Sequence, residues 1–466
     1  MHYPFWYVPF LTSPMLIAII AILHVLVSHY AVGGGFFLAV ETQHAYRTRN
    51  EAYLQYLRQH AWFFVLITVV YGAITGVGIW WTIGLASPLA TETLIHTFVF
   101  GWAMEYVVFV LEIASAYIFL YYWGRLDQRT HVAIGWIYAI SAWISLVIIT
   151  CITAFMLNPG AWVRNHAFWS GMLNPQAVPQ ILARTGGSFL LASLYVYLHA
   201  SFKVPISDLR SYIGARSARP ALLGAVLVTV GGIGWLVMLP DSSRAALMTA
   251  SVLNVLTVLI FAMTVAVFAM LYLGPYRNPG WVSPGFAILV LGAGMAATTT
   301  GEYLREAVRK PYIIYNVVFS NQILPAEVPH LRTVGYLNGG VWTRAYLAIR
   351  PEIPRGPVGS ALATSMPAPA NDREARGAAV FQYHCASCHA TTIGYSPVGQ
   401  LLRGWTPRMI RDVASQPEKV HFFMPPFAGT PEDSEDLALY LMRMRLPHPK
   451  GMYYGGPDLR SARLLR

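Results

Sequence analysis

Long apolar runs set the pattern of the N-terminal part of the chain. Eight of them lie near 11–40, 61–86, 92–123, 131–157, 182–202, 220–239, 247–273 and 281–301. Each is of the order of the roughly 20 residues that a helix needs to cross a bilayer. Short polar connections separate the runs, so the pattern predicts a helical bundle of about eight membrane spans. Past the last run the text changes. Residues 349–371, RPEIPRGPVGSALATSMPAPAND, are rich in Pro, Ala and Gly and have no amphipathic period, which reads as a semi-extended linker. Helical patterns then return: ARGAAVFQYH predicts one helix, and EDSEDLALYLMRM an amphipathic closing helix. The expected organisation is a membrane bundle over 1–312, an extracytoplasmic connection and linker over 313–371, and a small soluble domain over 372–466. No internal repeat is evident. The expected fold class is all-α throughout.

Composition agrees with this division. Hydrophobic residues make up 56% of the chain and charged residues only 11%, against about 25% charged in an ordinary soluble domain. One aqueous core cannot hide so much apolar surface. The net charge of +11 does not point to nucleic acid, because its placement follows the loops. Loops one, three, five and seven carry Arg47, Arg49 and Arg58; Arg125 and Arg129; Lys203, Arg210, Arg216 and Arg219; and Arg277. Loops two, four and six carry only Arg164 and Arg244. Basic residues accumulate on the cytoplasmic side, so both termini are expected outside. The opening MHYPFWYVPF has no basic n-region and no small-residue cleavage site, and reads as an aromatic interface anchor.

The sharpest chemical motif is CASCH, Cys385 to His389, which has the C-x-x-C-H form of a c-type haem attachment. Two thiols add to the haem vinyl groups, and His389 supplies one axial nitrogen. A zinc site would call for a second cysteine pair, and the chain has three cysteines in all. The third, Cys151, sits in an apolar run as a small core residue. Met424, in HFFMPPFAGT, is the expected second axial ligand, with Pro425 and Pro426 holding its backbone extended. Met442 and Met444 read as core filler. The module resembles a class I cytochrome c, with Gly377, Phe381 and Tyr440 where that family packs its terminal helices. Attachment of this kind is completed outside the cytoplasm, in agreement with the loop charges.

Ionisable side chains within membrane helices are costly and mark function. Here they are His24 and His29; His96, Glu105 and Glu112; Arg184 and His199; and, at the end of the eighth run, Glu302, Arg305, Glu306 and Arg309. A lone intramembrane His can also be a hydrogen-bonded core residue. At about 1.5 Å per residue, His24 and Glu105 lie at similar depth and could face one another across an iron. His29 and His199 are level nearer the cytoplasmic side, an alternative haem pair. Glu306 and Arg309 share a helical face near the outer surface, where a carboxylate could ligate iron and an arginine pair with a haem propionate.

The text of these helices resembles the large subunit of the cytochrome bd-type quinol oxidases. The resembling pieces are AILHVLVSHYAVGGGFFLAVET, GVGIWW, GWAMEYVVFVLEIAS, YWGRLD, FMLNPGAW and GEYLREAVRKPY, which cover most of 15–315. The resemblance implies that His24 is the axial histidine of the oxygen-site haem, and that Glu105 and Glu112 are the acidic pair that delivers protons. It likewise implies that Glu306 ligates a second high-spin haem beside Arg309. Several features depart from the family. The acidic pair is one residue closer in sequence, and Glu302 stands where the family has a tryptophan. Arg184 or Ala183 stands where a histidine would hold the low-spin haem. The quinol-binding loop is reduced to LPDSSRA, and the cytochrome c module replaces a ninth helix.

The expected cofactors are therefore one covalent haem c and about two non-covalent haems, b or b and d. The expected function is electron transfer between a periplasmic c-type haem and the bundle haems, in a subunit of a bd-like oxidoreductase and, on one reading, a cytochrome c-fed oxygen reductase. A relay without oxygen chemistry, linking a quinone or partner subunit to the c haem, is the alternative. A bare membrane anchor has no use for buried Glu and His. The expected partners are the lipid bilayer of a bacterial inner membrane, other subunits of a respiratory membrane complex, and a periplasmic cytochrome c or other redox protein; no nucleic acid is expected.

Overall fold

The computed structural model describes residues 6, 8, 10–340 and 371–446. The Pro-rich linker through residue 370, the chain from 447, and most of the aromatic N-terminal segment lie outside the described residues. Two compact units emerge: Leu16–Pro325, and the described residues of 1–15 and 326–466.

Eight helices in the first unit are long and apolar enough to cross a membrane: Ser13–Thr48, Glu51–Ala86, Val99–Tyr121, Gln128–Phe155, Ala177–Lys203, Asp208–Val237, Ser251–Tyr276 and Pro284–Ala307. We refer to them as the first to eighth spans. Their number is the one the apolar runs predict; several of their ends are not. The third run is broken at Phe98, whose backbone leaves the helical region, so a shorter helix Pro88–Thr97 precedes the third span. The sixth span begins at Asp208, well before its apolar run. Ser207 caps it by accepting from the Arg210 amide, and Pro220 sits inside it. A proline there removes one backbone hydrogen bond without ending the helix, and the polar first turns conceal the helix from hydropathy.

Exposed apolar side chains cover the outside of the spans, as lipid requires. On the seventh span Val252, Val255, Val258, Phe261 and Val265 are all exposed. Inside, charged groups find partners across spans. Glu41 accepts from Arg216, with Nη2 at 3.0 Å, and from the Tyr53 hydroxyl at 3.0 Å. This buried group ties the first, second and sixth spans together at the end that carries the basic loops. Packing is tightest at Gly33, where an added Cβ would lie 2.0 Å from the Ser188 carbonyl oxygen. Only glycine lets the first and fifth spans approach so closely, the small-residue logic of membrane helix packing.

After the eighth span a short antiparallel hairpin, Tyr312–Ile314 with Val318–Phe319, closes this unit. Ile313, Ile314 and Val318 bury against Phe98, Ile152 and Phe155. The sequence reading treats this stretch as connection, because two strands this short leave no readable alternation.

The second unit is a small helical domain. Its helices Asp372–His384 and Pro431–Met444 cross at Gly377, where a Cβ would fall 2.0 Å from the Asp436 carbonyl oxygen. Phe381 packs on Tyr440 beside this crossing, ring centroids 5.9 Å apart. Thr430 and Asp433 form a capping box at the start of the closing helix. The buried Asp436 carboxylate pairs with Arg373 and Arg376, each at 2.7 Å. Segment 326–340 packs onto the same domain. The Tyr336 hydroxyl donates to the Tyr383 carbonyl at 2.9 Å, and Arg332 Nε donates to the Phe427 carbonyl at 3.0 Å. Gly377→Ala must force the two helices apart, an overpacking that costs about 3 kcal/mol. The expected result is a lower denaturation midpoint of this domain in the full-length protein, followed by its haem absorbance.

Candidate haem sites

In the soluble unit, helix Asp372–His384 delivers its chain directly into the cysteine motif. The Cys385 amide still donates to Phe381, and the Cys385 carbonyl accepts from the amides of Cys388 and His389, both at 3.1 Å. This tight turn puts both thiols and the imidazole on one short piece of chain. Both thiols are free in the structure. Burial pushes the Cys385 thiol up to about 12, with the neighbouring Cys388 adding to the effect. It is therefore a neutral thiol until it is consumed in a thioether.

His389 is oriented by its outer neighbour. Its Nδ1–H donates to the Ser396 carbonyl at 3.0 Å, which leaves the Nε2 lone pair for a metal. Burial lowers its pKa, the Ser396 bond opposes that shift, and nearby His421 reinforces it. A neutral imidazole is the ligating form.

Met424 lies on the opposite chain segment, in a turn where its amide donates to the His421 carbonyl at 2.9 Å. The two segments are joined by a residue the sequence reading does not single out. His384, just before the motif, accepts at Nε2 from the Ala428 amide at 3.1 Å. Burial holds its pKa down to about 4, so it stays neutral and able to accept. Its position next to CASCH is the only sequence signal it leaves.

The donor set of two thiols, one imidazole and one thioether fits a covalent haem. Met424→His is expected to lower the potential of that haem by on the order of 0.1 V, as nitrogen replaces sulfur. Potentiometric titration of the full-length protein measures this, and an unchanged potential excludes Met424 as a ligand.

In the bundle, His24 is fixed from the second span. Its Nδ1 lies 3.1 Å from Thr75 Oγ1, whose own hydrogen goes to the Tyr71 or Gly72 carbonyl at 3.0 and 3.1 Å. With its hydrogen on the backbone, Thr75 accepts from His24 Nδ1–H, the tautomer that presents Nε2 as a ligand. Gly76, of the GVGIWW segment, lets the ring in: a Cβ there would be 3.2 Å from His24 Cε1.

Glu105 accepts from Ser145 at 2.9 Å, and Glu112 from the Tyr138 hydroxyl at 3.3 Å. At the end of the eighth span, Glu306 is ion-paired to Arg309, and Lys310 Nζ stands 3.5 Å from its other oxygen. Arg309 also donates to the Ile313 carbonyl at 3.1 Å. Its Nε is buried and has no hydrogen-bond partner among the described residues. An unsatisfied buried guanidinium nitrogen is what an anionic propionate would complete. A carboxylate has lone pairs enough to pair with Arg309 and still ligate a metal, so Glu306 also fits.

His29 and His199, the alternative haem pair, each have a polar partner of their own. The His29 Nδ1–H donates to the Val25 carbonyl at 2.8 Å, and the ring edge packs on Gly187. His29 lies within charge range of Arg184 and Glu302, and Glu302 is ion-paired to Arg305 at 2.8 Å. His199 instead meets His60, Nδ1 to Nδ1 at 3.2 Å, and packs beside Tyr56 and Phe63. The sequence reading does not find His60, which lies far from His199 along the chain.

Residues 13–238 match the family model of the cytochrome bd terminal oxidase subunit I, and residues 372–441 that of cytochrome C oxidase, cbb3-type, subunit III. The chain joins a bd oxidase subunit I domain to a cytochrome c domain. The bd oxidase structure from Geobacillus thermodenitrificans aligns with a TM-score of 0.57, over 66% of this chain and 88% of that one. At 20% identity that likeness is one of fold. No curated protein matches the chain. The cytochrome c domain implies a haem c and the bd domain a haem b. The all-helical membrane architecture and electron-transport character expected from the sequence hold.

Proposed function

We infer that this chain passes electrons between a c-type haem bound at Cys385, Cys388, His389 and Met424 and about two haems held in the bundle by His24 and Glu306. The observation that carries this reading is the union, in one chain, of an attachment motif with an oriented His389 and a bundle whose ionisable groups include an oriented His24. When bound, the haems supply one-electron chemistry. The protein's own contribution is positional and electrostatic. Thr75 holds the His24 ring, and the Ser396 carbonyl holds His389. Arg309 offers positive charge for a propionate, while Glu105 and Glu112, each held by one hydroxyl, offer carboxylates that can take up protons.

The basic loops favour an inner-membrane topology with the cytochrome c domain on the periplasmic side. There it would meet a soluble cytochrome c or another redox protein, with further subunits of a respiratory complex beside the bundle. The reduced quinol loop favours electron entry through the c haem. Oxygen reduction at the His24 side is the reading we favour, because the bundle also carries Glu105 and Glu112, carboxylates able to supply the protons that reaction consumes.

A carbon monoxide difference spectrum of the dithionite-reduced full-length protein tests it. A photolabile adduct in the bundle haem bands supports an open coordination position and oxygen chemistry. Bundle haems that bind no carbon monoxide support the relay without oxygen chemistry instead.

A further inference from the structure

A second line of buried polar groups enters the bundle from the end that carries the basic loops. His199 lies four residues before Lys203, the last residue of the fifth span, about 6 Å along a helix. Its Nδ1 is 3.2 Å from Nδ1 of His60 on the second span. The other ring nitrogen of His60, Nε2, is 3.1 Å from the Tyr30 hydroxyl on the first span. His60 and Tyr30 are both fully buried. The groups that face this line are Tyr30 and Phe37 from the first span, Tyr56 and Phe63 from the second, and Lys203 from the fifth. Three hydrogen-bonding side chains from three helices thus make one continuous run inside an otherwise apolar shell.

The run stops at Tyr30, and the Phe64 ring separates it from Tyr138, the partner of Glu112. Phe64 touches Tyr30 on one side and Tyr138 on the other, at ring centroid distances of 5.2 and 5.5 Å. The Tyr138 hydroxyl reaches the carbonyl of Ala31, the residue after Tyr30, and the Glu112 carboxylate. The glycines of the AVGGGF segment make this convergence possible. A Cβ on Gly34 would lie 2.6 Å from Phe64 and 2.9 Å from Tyr30, and one on Gly35 would lie 2.3 Å from Tyr138. The motif is therefore shaped around the two tyrosines and the ring between them.

We propose that His199, His60 and Tyr30 form a proton relay that leads from the basic face to Tyr138 and Glu112. The proposal rests on the reading that electrons reach groups held in the bundle and that protons follow them. Each imidazole takes a proton at one nitrogen and releases one from the other. In the receptive state His199 Nδ1–H donates to His60 Nδ1, and His60 Nε2–H donates to the Tyr30 oxygen. A proton binding at His199 Nε2 releases the Nδ1 proton to His60, which releases its Nε2 proton to Tyr30, whose own hydroxyl proton passes through water to the Glu112 carboxylate and neutralises it. One proton enters, one leaves, and no net charge stays on the line. A purely structural pair needs neither this order nor an unbroken run to Tyr30.

The test uses the full-length, haem-loaded protein in stopped flow, with ascorbate and a redox mediator as reductant. A pH-indicator dye follows proton uptake while the haem bands follow electrons. His60→Gln and Tyr30→Phe are each expected to slow proton uptake linked to bundle-haem reduction by at least tenfold, with c-haem reduction unchanged. Tyr30→Phe removes a single hydroxyl and keeps the ring packing, so it remains informative if His60→Gln fails to fold. Wild-type proton uptake rates in Tyr30→Phe overturn the relay. A wild-type protein whose bundle haems become reduced with no proton uptake overturns the coupling beneath it, a distinct result.

Discussion

The wild-type protein is expected to keep one haem through acid–acetone extraction, and the Cys385→Ser/Cys388→Ser double variant none. The geometry requires both thiols to act together. The Cys385 carbonyl gathers the amides of Cys388 and His389 into one turn, so that both sulfurs and the imidazole would serve a single macrocycle. Cys388→Ser alone should leave a single thioether and a shifted pyridine haemochrome band, because one vinyl group stays unsaturated. The effect is large because the covalent bond is the difference between a haem that survives denaturation and one that leaves with the solvent. A wild-type protein with all its haem extractable would falsify the assignment of Cys385 and Cys388.

The legibility of this chain divides along a physical line. Features encoded by neighbouring residues can be read directly. The apolar runs give the eight spans because a bilayer demands length and apolarity and little else. CASCH gives the attachment turn because all its chemistry lies within one helical turn. The crossing at Gly377 with Phe381 on Tyr440 follows from a spacing that a known family repeats.

Features that depend on how helices rotate against each other cannot be read so. Depth and the family resemblance single out His24, yet what orients it is Thr75 on another span. Depth matches His199 to His29, but it carries no sign of His60, which the His199 ring meets. Depth fixes one coordinate of a membrane residue, and the rotation of its helix, set by contacts such as Gly33 on Ser188, fixes the other. The start of the sixth span was missed for a local reason. Its first turns are polar and Pro220 mimics a boundary, while the cap at Ser207 holds the helix together.

His24→Ala and Glu306→Ala should each remove about one non-covalent haem, whereas Arg184→Ala should remove none. His24 and Glu306 combine donor chemistry with a partner that orients them, Thr75 for the imidazole and Arg309 with Lys310 for the carboxylate. Arg184 stands where the resembling family places a histidine, and a guanidinium stays protonated and cannot ligate iron. In this bundle it lies within charge range of Glu302 and Arg305, so a local ionic group fills that neighbourhood. The rival arrangement is a low-spin haem between His29 and His199, whose Nδ1 atoms are held by the Val25 carbonyl and by His60. Counting non-covalent haem by extraction separates the two arrangements. Two per chain fit a bundle with the low-spin site replaced by Arg184 and Glu302, and a third that disappears in His199→Ala would establish the histidine pair as its ligands.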